Sequence, residues 1–194
     1  MKIGFIGAGH IGKALAKKFV TAGYPVILSN SRGVEFLRPL IEELGDLASA
    51  GTSEDAANAD LVVLAVMWDQ TFGALEKIKK QLAGKIVIDA TNNMNSNPLD
   101  KPTSIVISEL IPDSTVVKAF NTLIAATLDA EPAVNNGKRV IFFSGDHQPA
   151  KETVGKLITQ LGFEGVDLGD LKQGSPITEF GKAVSALNLI SYPN

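Results

Sequence analysis

Three glycines near the start of the chain have the spacing of a phosphate-binding turn. They form the pattern G-x-G-x-x-G, written here as Gly7-Ala8-Gly9-His10-Ile11-Gly12. In this pattern the first glycine permits a tight turn, the second lets the backbone approach a pyrophosphate, and the third lets a helix pack closely on a strand. Backbone N–H groups at the positive end of that helix then point at the phosphates. We therefore predict cofactor contacts from Gly7, Gly9, His10, Ile11 and Gly12.

The residues around these glycines favour this interpretation. The alternative is a glycine-rich turn that binds nothing, and the motif is meaningful only between a strand and a helix. Residues 2–7 are rich in β-forming side chains, and residues 10–22 carry apolar side chains at helical spacing. We expect His10 to line the pyrophosphate or the ribose rather than to transfer protons. Since His147 is the only other histidine, we do not expect a histidine-based metal site.

A second group of polar residues lies where a dinucleotide's adenosine ribose is usually recognised. Proteins that bind NAD place an acidic residue about twenty positions after the glycines, where it accepts hydrogen bonds from the ribose 2′-OH. Here the sequence continues as Asn30, Ser31 and Arg32, and no acid occurs before Glu35. A guanidinium and neutral polar groups bind a 2′-phosphate, which a carboxylate would repel. We predict an NADP(H) pocket with Arg32 also able to stack on the adenine; the alternative is a polar turn in which Ser31 caps a helix.

The elements that must position these residues alternate along the chain. Apolar runs predict strands at 2–7, 24–29, 47–50, 60–66, 85–89, 114–120, 138–144 and 165–168. Helical spacing predicts helices at 10–22, 35–44, 52–59, 70–83, 105–110, 123–128 and 149–161, with a loop at 91–103. This alternation predicts an α/β fold of the Rossmann type, a doubly wound and mostly parallel sheet with helices on both faces. We expect one domain over residues 1–194, with a short carboxy-terminal extension from about residue 169.

Composition excludes several classes of function. The chain has 18 Lys and Arg against 21 Asp and Glu, and no basic stripe, so we expect no nucleic-acid partner. It has no cysteine, which excludes disulfides, thiolate nucleophiles and cysteine-ligated metals and is compatible with the cytoplasm. No apolar stretch approaches the roughly eighteen residues that span a bilayer, so we expect no membrane association.

Several blocks of the sequence together resemble one family. Residues 7–12, 29–33 (SNSRG), 64–68 (LAVMW) and 116–122 (VVKAFNT) are similar to the NADPH-dependent reductases of the deazaflavin coenzyme F-420. The cofactor-binding domain of mammalian membrane-bound metalloreductases is similar in the same blocks. The resemblance covers most of the chain. Met67 stands where the family often has proline.

The resemblance implies positions for the rest of the ligand. Ala65, Val66 and Met67 would line the nicotinamide ribose, and Thr91 and Asn92 would follow at the end of the next strand. Trp68, Phe120, Asn121 and Thr122 would contact the second substrate, with core packing as the alternative for Trp68 and Phe120. These positions agree with the rule that ligands bind beyond the carboxyl ends of parallel strands.

The chemistry implied is hydride transfer, which the cofactor carries out once the protein has positioned it. We therefore predict no catalytic side chain; Lys118, inside an apolar strand, is expected to reach the sheet's edge or to pair with an acid. The first hypothesis is an NADP(H)-dependent oxidoreductase with a deazaflavin, a flavin or a related planar molecule as its small-molecule acceptor. The alternative is an NADP(H)-binding redox sensor without turnover. We also expect a homodimer, because a small α/β domain leaves its active cleft open unless a neighbour covers it. The apolar residues of the tail either form an interface or pack on the chain's own sheet.

Overall fold

The computed structural model describes residues 1–95 and 100–193. The strands are β1 (Ile3–Ile6), β2 (Val26–Ser29), β3 (Ala48–Ala50), β4 (Leu61–Leu64), β5 (Ile86–Asp89), β6 (Thr115–Ala119), β7 (Ala133–Val134), β8 (Gly137–Gly145), β9 (Glu164–Asp167) and β10 (Ile190–Ser191). The α-helices are α1 (His10–Thr21), α2 (Arg38–Leu44), α3 (Ser53–Ala57), α4 (Trp68–Ile78), α5 (Thr103–Leu110), α6 (Ala125–Asp129), α7 (Gln148–Gln160) and α8 (Leu171–Thr178).

The strand order is that of a Rossmann sheet. Six strands run parallel in the order β3-β2-β1-β4-β5-β6, and β8 continues the sheet antiparallel to β6. β9 pairs with β8 in parallel, while β7 and β10 pair with it antiparallel. The order 3-2-1-4-5-6 with crossover helices is the arrangement that binds dinucleotides at its switch point. The predicted fold class, including its mostly parallel sheet, is confirmed.

Apolar side chains cover both faces of the sheet. Alternate residues of a strand point to opposite faces, and Ile3 and Phe5 of β1 pack with Leu15 and Phe19 of α1 in one core cluster. Ile6 belongs to the second cluster, with side chains of α4 and α5. The helices therefore lie on both faces, as predicted.

Several boundaries differ from those predicted. The helix predicted at 35–44 is split into a 3-10 turn at Val34–Leu37 and α2, which begins at Arg38. Pro39 explains the break, because proline lacks an N–H and fits only the first turn of an α-helix. The helix predicted at 70–83 begins earlier, at Trp68, and ends at Ile78.

The tail after β9 folds against the body of the chain. It forms α8, then returns to pair β10 with β8. Part of its apolar surface stays exposed, at Phe180, Leu187 and Leu189. No helix within the described residues has the length and apolar character needed to cross a bilayer.

Candidate dinucleotide-binding site

The register of the sheet brings the predicted site residues to one edge. Ile6 is level with Ser29 of β2 and with Leu64 of β4. Leu64 is in turn level with Asp89 of β5, and Asp89 with Lys118 of β6. All five strands are parallel, so the residues that follow them share the carboxyl edge of the sheet. The glycine turn, the Asn30–Arg32 segment and the segments beginning at 65, 90 and 119 therefore line one edge.

The glycine turn has the shape that the motif requires. Gly7 has φ +100°, and a methyl group there would lie 2.5 Å from the carbonyl oxygen of Ala65. A methyl group on Gly12 would lie 2.3 Å from the carbonyl oxygen of Gly7. Gly9 differs, because a methyl group there would meet nothing within 4 Å. The first and third glycines thus hold the strand, the turn and the helix together, while the second leaves open space where a ligand can approach the backbone.

The start of α1 is suited to an anion. The first N–H groups of an α-helix have no partner within the helix, and the N-cap residue Gly9 supplies no side-chain acceptor for them. The first turn contains no acidic residue. These N–H groups and the positive end of the helix dipole form a recognised phosphate-binding arrangement. The geometry of the turn therefore fits a pyrophosphate.

Beyond β2, a tight turn presents Arg32 to solvent. The Asn30 side-chain oxygen accepts a hydrogen bond from the Arg32 N–H at 2.9 Å, and the Gly33 N–H donates to the Asn30 carbonyl at 3.0 Å. The guanidinium carbon of Arg32 lies 3.4 Å from the centre of the Phe36 ring. Glu35, the nearest acid in sequence, pairs instead with Arg38 at 2.5 Å. Within the described residues Arg32 forms no salt bridge, so its charge is available for a phosphate.

A buried ion pair between β5 and β6 supports this edge of the sheet. Lys118 is fully buried, and its Nζ donates to Asp89 Oδ2 at 3.0 Å and to the Thr91 carbonyl at 2.6 Å. Asp89 also accepts from the N–H of Thr91 at 2.9 Å and from the Ser104 hydroxyl at 2.6 Å. The sequence predicts that Lys118 either reaches the sheet's edge or pairs with an acid, and in the structure it pairs with an acid. The pair holds Thr91 in place and ties it to the start of α5.

The tail closes over the end of β6. The Asn121 side-chain amide donates to Asn92 Oδ1 at 3.1 Å and to the Thr178 carbonyl at 2.7 Å. The Asn92 amide donates back to the Asn121 carbonyl at 2.8 Å. The Thr122 carbonyl accepts from the N–H of Ala186 at 2.8 Å. Asn121 and Thr122 are buried where the tail contacts them.

Two residues predicted to contact the second substrate pack in the core instead. The Trp68 side chain is 6% exposed in the cluster that covers β4 and β5, edge-on to Phe72. Phe120 is fully buried in the other cluster and has φ +64°, a strained backbone for a residue with a side chain. Both side chains point into the apolar layers between sheet and helices, and the core-packing alternative describes them. Met67, by contrast, is 64% exposed.

The two histidines have different surroundings. His10 lines a cleft of about 350 Å³ between α1, α2 and α6, beside the glycine turn. His147 caps α7, because its Nδ1 accepts a hydrogen bond from the N–H of Ala150 at 3.3 Å. No group of three His, Asp or Glu side chains in residues 1–95 and 100–193 could hold a metal ion.

The prediction from sequence missed several residues of this edge. Phe36 carries a signal that could have found it, since it is an aromatic residue four positions after Arg32. Asp89 ends an apolar strand, and a carboxylate at that position indicates a buried partner. Thr178 and Ala186 have no local signal, because only the return of the tail brings them to the end of β6.

Comparison with known proteins agrees with this geometry. Residues 2–93 match the model of a family described as NADP oxidoreductase coenzyme F420-dependent. Over these residues, the chain is similar to this family. The matched segment contains the glycine turn, Arg32, the residues after β4, and Thr91 and Asn92. The sequence has no acidic residue between β2 and Glu35, and this agrees with a family of NADP-dependent oxidoreductases.

Individual relatives extend the likeness beyond residue 93. Metalloreductase STEAP3 of Rattus norvegicus is 31% identical over 174 residues, 88% of this chain and 34% of that protein. The F420-dependent NADP reductase of Methanocaldococcus jannaschii is 24% identical, covering 97% of this chain and 93% of that protein. The chain thus spans about a third of the length of the metalloreductases it matches.

A solved structure matches nearly the whole fold. The hypothetical protein SMa0349 of Sinorhizobium meliloti is 41% identical, with a TM-score of 0.92, over 98% of this chain and 96% of that one. The tail and the strands after residue 93 therefore belong to an arrangement that this other protein shares.

Proposed function

We propose that this protein binds NADP(H) along the carboxyl edge of the sheet and transfers hydride between it and a planar acceptor of the deazaflavin or flavin class. The observation that carries the proposal is Arg32, whose exposed guanidinium has no salt-bridge partner among the described residues and lies at the same edge as the glycine turn. A 2′-phosphate is the group that distinguishes NADP from NAD, and a free arginine beside the ribose site is its usual partner.

Different residues of the site bind different parts of the cofactor. The N–H groups at the start of α1, from His10 and Ile11, receive the pyrophosphate. Ser31 and Arg32 receive the 2′-phosphate. The segment Ala65–Met67 lies against the glycine turn, since a methyl group on Gly7 would come within 2.9 Å of Val66 Cγ1. It lines the nicotinamide ribose together with Thr91, which the buried pair holds in place, and Asn92, which Asn121 holds.

When bound, NADPH supplies a hydride from the C4 position of its nicotinamide ring. The protein's task is to hold the two rings face to face and to keep water away from them, and hydride transfer needs no side-chain acid. The name of the M. jannaschii relative supports a deazaflavin as acceptor. Met67 and Ile124, 64% and 58% exposed at this edge, offer apolar surface for such a ring.

The direct test is the oxidation of NADPH, followed by its absorbance, with a series of acceptors. We expect turnover with the deazaflavin or with FMN, and little with ferric chelates or quinones. Tight NADPH binding without oxidation of any acceptor would contradict the enzyme and support the sensor that the sequence leaves as the alternative.

The cofactor preference is tested by Arg32→Glu. We expect NADPH binding to weaken by about 2 kcal/mol or more, roughly thirtyfold, because a charge-assisted pair is replaced by repulsion. NADH binding should change little. Fluorescence of Trp68, the single tryptophan, reports the titrations. Lys77→Glu is the control, since it reverses the charge of an exposed side chain near the end of α4. Equal losses for NADPH and NADH would show that the phosphate binds elsewhere.

A further inference from the structure

An exposed aromatic side chain lies directly beneath the arginine of the site. The guanidinium carbon of Arg32 is 3.4 Å from the centre of the Phe36 ring, which is the distance of a stacked cation–π contact. We infer that Phe36 is a positioning residue that holds the Arg32 guanidinium ready for a 2′-phosphate, and so sets the preference for phosphorylated over unphosphorylated dinucleotides. The inference rests on the proposed function.

The stacking has a consequence for the arginine's donors. A guanidinium donates hydrogen bonds in its own plane, from the edges of a rigid fork. The Phe36 ring covers one face of that plane and accepts no edge donor. The edges therefore stay free to bind phosphate oxygens in pairs.

The local backbone explains why Phe36 points at Arg32 and away from the core. Gly33 has φ +91° and reverses the chain after Arg32, and the 3-10 turn Val34–Leu37 follows at once. Leu37 is 1% exposed and anchors this turn in the core. Consecutive residues of a 3-10 turn are about 120° apart, so a buried Leu37 leaves its neighbour Phe36 outside, where it is 41% exposed.

Among the described residues, no carboxylate forms a salt bridge with Arg32, so its guanidinium is free to bind a phosphate. Glu35 lies between the two residues of the stack in sequence, yet its carboxylate pairs with Arg38 at 2.5 Å. A free arginine side chain has many rotamers, and fixing it costs entropy when a ligand binds. Stacking on Phe36 restricts those rotamers before the ligand arrives. Loss of the ring should therefore weaken binding of ligands that carry the 2′-phosphate and spare the others.

The test is Phe36→Leu, with binding measured by calorimetry for two matched pairs of ligands. The first pair is NADPH and NADH; the second is adenosine 2′,5′-bisphosphate and AMP. We expect the two 2′-phosphorylated ligands to bind about three- to fivefold more weakly, the loss of one exposed cation–π contact. NADH and AMP should be unchanged. Phe36→Tyr keeps an aromatic ring, so it should keep the preference for 2′-phosphorylated ligands. Adding Phe36→Leu to Arg32→Ala should cause no further loss of affinity.

Leu110→Ala, at another exposed apolar side chain at the end of α5, is the control and should affect none of the four ligands. Equal weakening of all four by Phe36→Leu, or no weakening, would overturn the inference. A wild-type protein with no preference for the phosphorylated ligands would instead overturn the proposed function. A preference that Arg32→Ala abolishes and Phe36→Leu leaves intact would overturn this inference alone.

Discussion

At the scale of single residues, the most consequential contact is between two charges that no solvent reaches. Asp89 and Lys118 are 29 positions apart in sequence, yet they are level with each other on adjacent strands and both are 0% exposed. Burying a charge is costly unless it is paired and hydrogen-bonded. Here the carboxylate also accepts from Thr91 and Ser104, so the pair is well satisfied. Lys118 thus supports the carboxyl edge of the sheet through Asp89 and Thr91.

Lys118→Met should destabilise the protein strongly. The free energy of unfolding should fall by about 3–5 kcal/mol, because the Asp89 carboxylate is left buried without its cation. Urea unfolding measures the loss. Lys138→Met, at an exposed lysine on β8, is the control and should change little. Adding Asp89→Asn to Lys118→Met removes the orphaned charge and should recover part of the stability. A loss below about 1 kcal/mol would contradict a structural role for the pair.

At the scale of elements, the five-residue helix α3 is kept in place by its cap and by its packing. Thr52 and Asp55 form a capping box, in which the Asp55 N–H donates to Thr52 Oγ1 at 3.1 Å and the Thr52 N–H donates to Asp55 at 2.9 Å. The N-cap residue of this helix is Thr52. The helix lies so close to β1 that a methyl group on Gly4 would meet the Ala56 carbonyl at 1.8 Å.

Thr52→Ala should cost about 1 kcal/mol of stability, the usual price of a lost N-cap, and lower the Tm by about 2–4 °C for a chain of this size. Calorimetric melting measures it. Thr21→Ala, at an exposed threonine that ends α1, is the matched control. An unchanged Tm for Thr52→Ala would show that packing alone holds α3.

The same cap predicts a pH dependence. Hydrogen bonds from the Thr52 N–H and, second, from its hydroxyl hold the pKa of Asp55 below its ordinary value of 3.8. A lowered pKa means that the carboxylate stabilises the fold above the ordinary pKa and that this stabilisation is lost as the pH falls through the lowered one. The difference in Tm between wild type and Asp55→Ala should therefore be present at neutral pH and shrink in strong acid.

At the scale of the whole molecule, the tail both completes the edge and leaves apolar surface uncovered. Thr178 and Ala186 bind the residues that follow β6, and Glu179 accepts from the N–H of Thr103 at the start of α5 at 2.7 Å. Yet Phe180 is 51% exposed and Tyr192 is 57% exposed. The tail thus packs on its own sheet, which is one of the two alternatives, and it also presents apolar side chains to solvent.

We propose that this exposed surface joins two copies of the chain. Sedimentation equilibrium should give about twice the chain mass of 20.5 kDa. Phe180→Asp should shift the equilibrium toward the monomer, since it places a charge in an apolar contact. Leu47→Asp, at an exposed apolar residue outside the tail, is the control and should leave the mass unchanged. A wild-type protein that sediments as a monomer would contradict the proposal.

The sequence by itself determined the features that depend on neighbours along the chain. The glycine turn between a strand and a helix, the missing acid after β2 and the alternation of elements are all local patterns, and together they predict the fold class. Local sequence also predicts a preference for NADP(H), since a short polar segment without an acid, such as Asn30–Arg32, is enough to recognise a 2′-phosphate.

Only the tertiary structure decided which side chains reach the edge. Trp68 and Phe120 turn inward because the layers on both faces of the sheet bury apolar surface, and a pattern of apolar residues is the same for a core as for a ligand site. The partner of Lys118 and the cover over Asn121 depend on strand register and on the return of the tail. These contacts join residues 29 and 57 positions apart, and no local pattern encodes such distances.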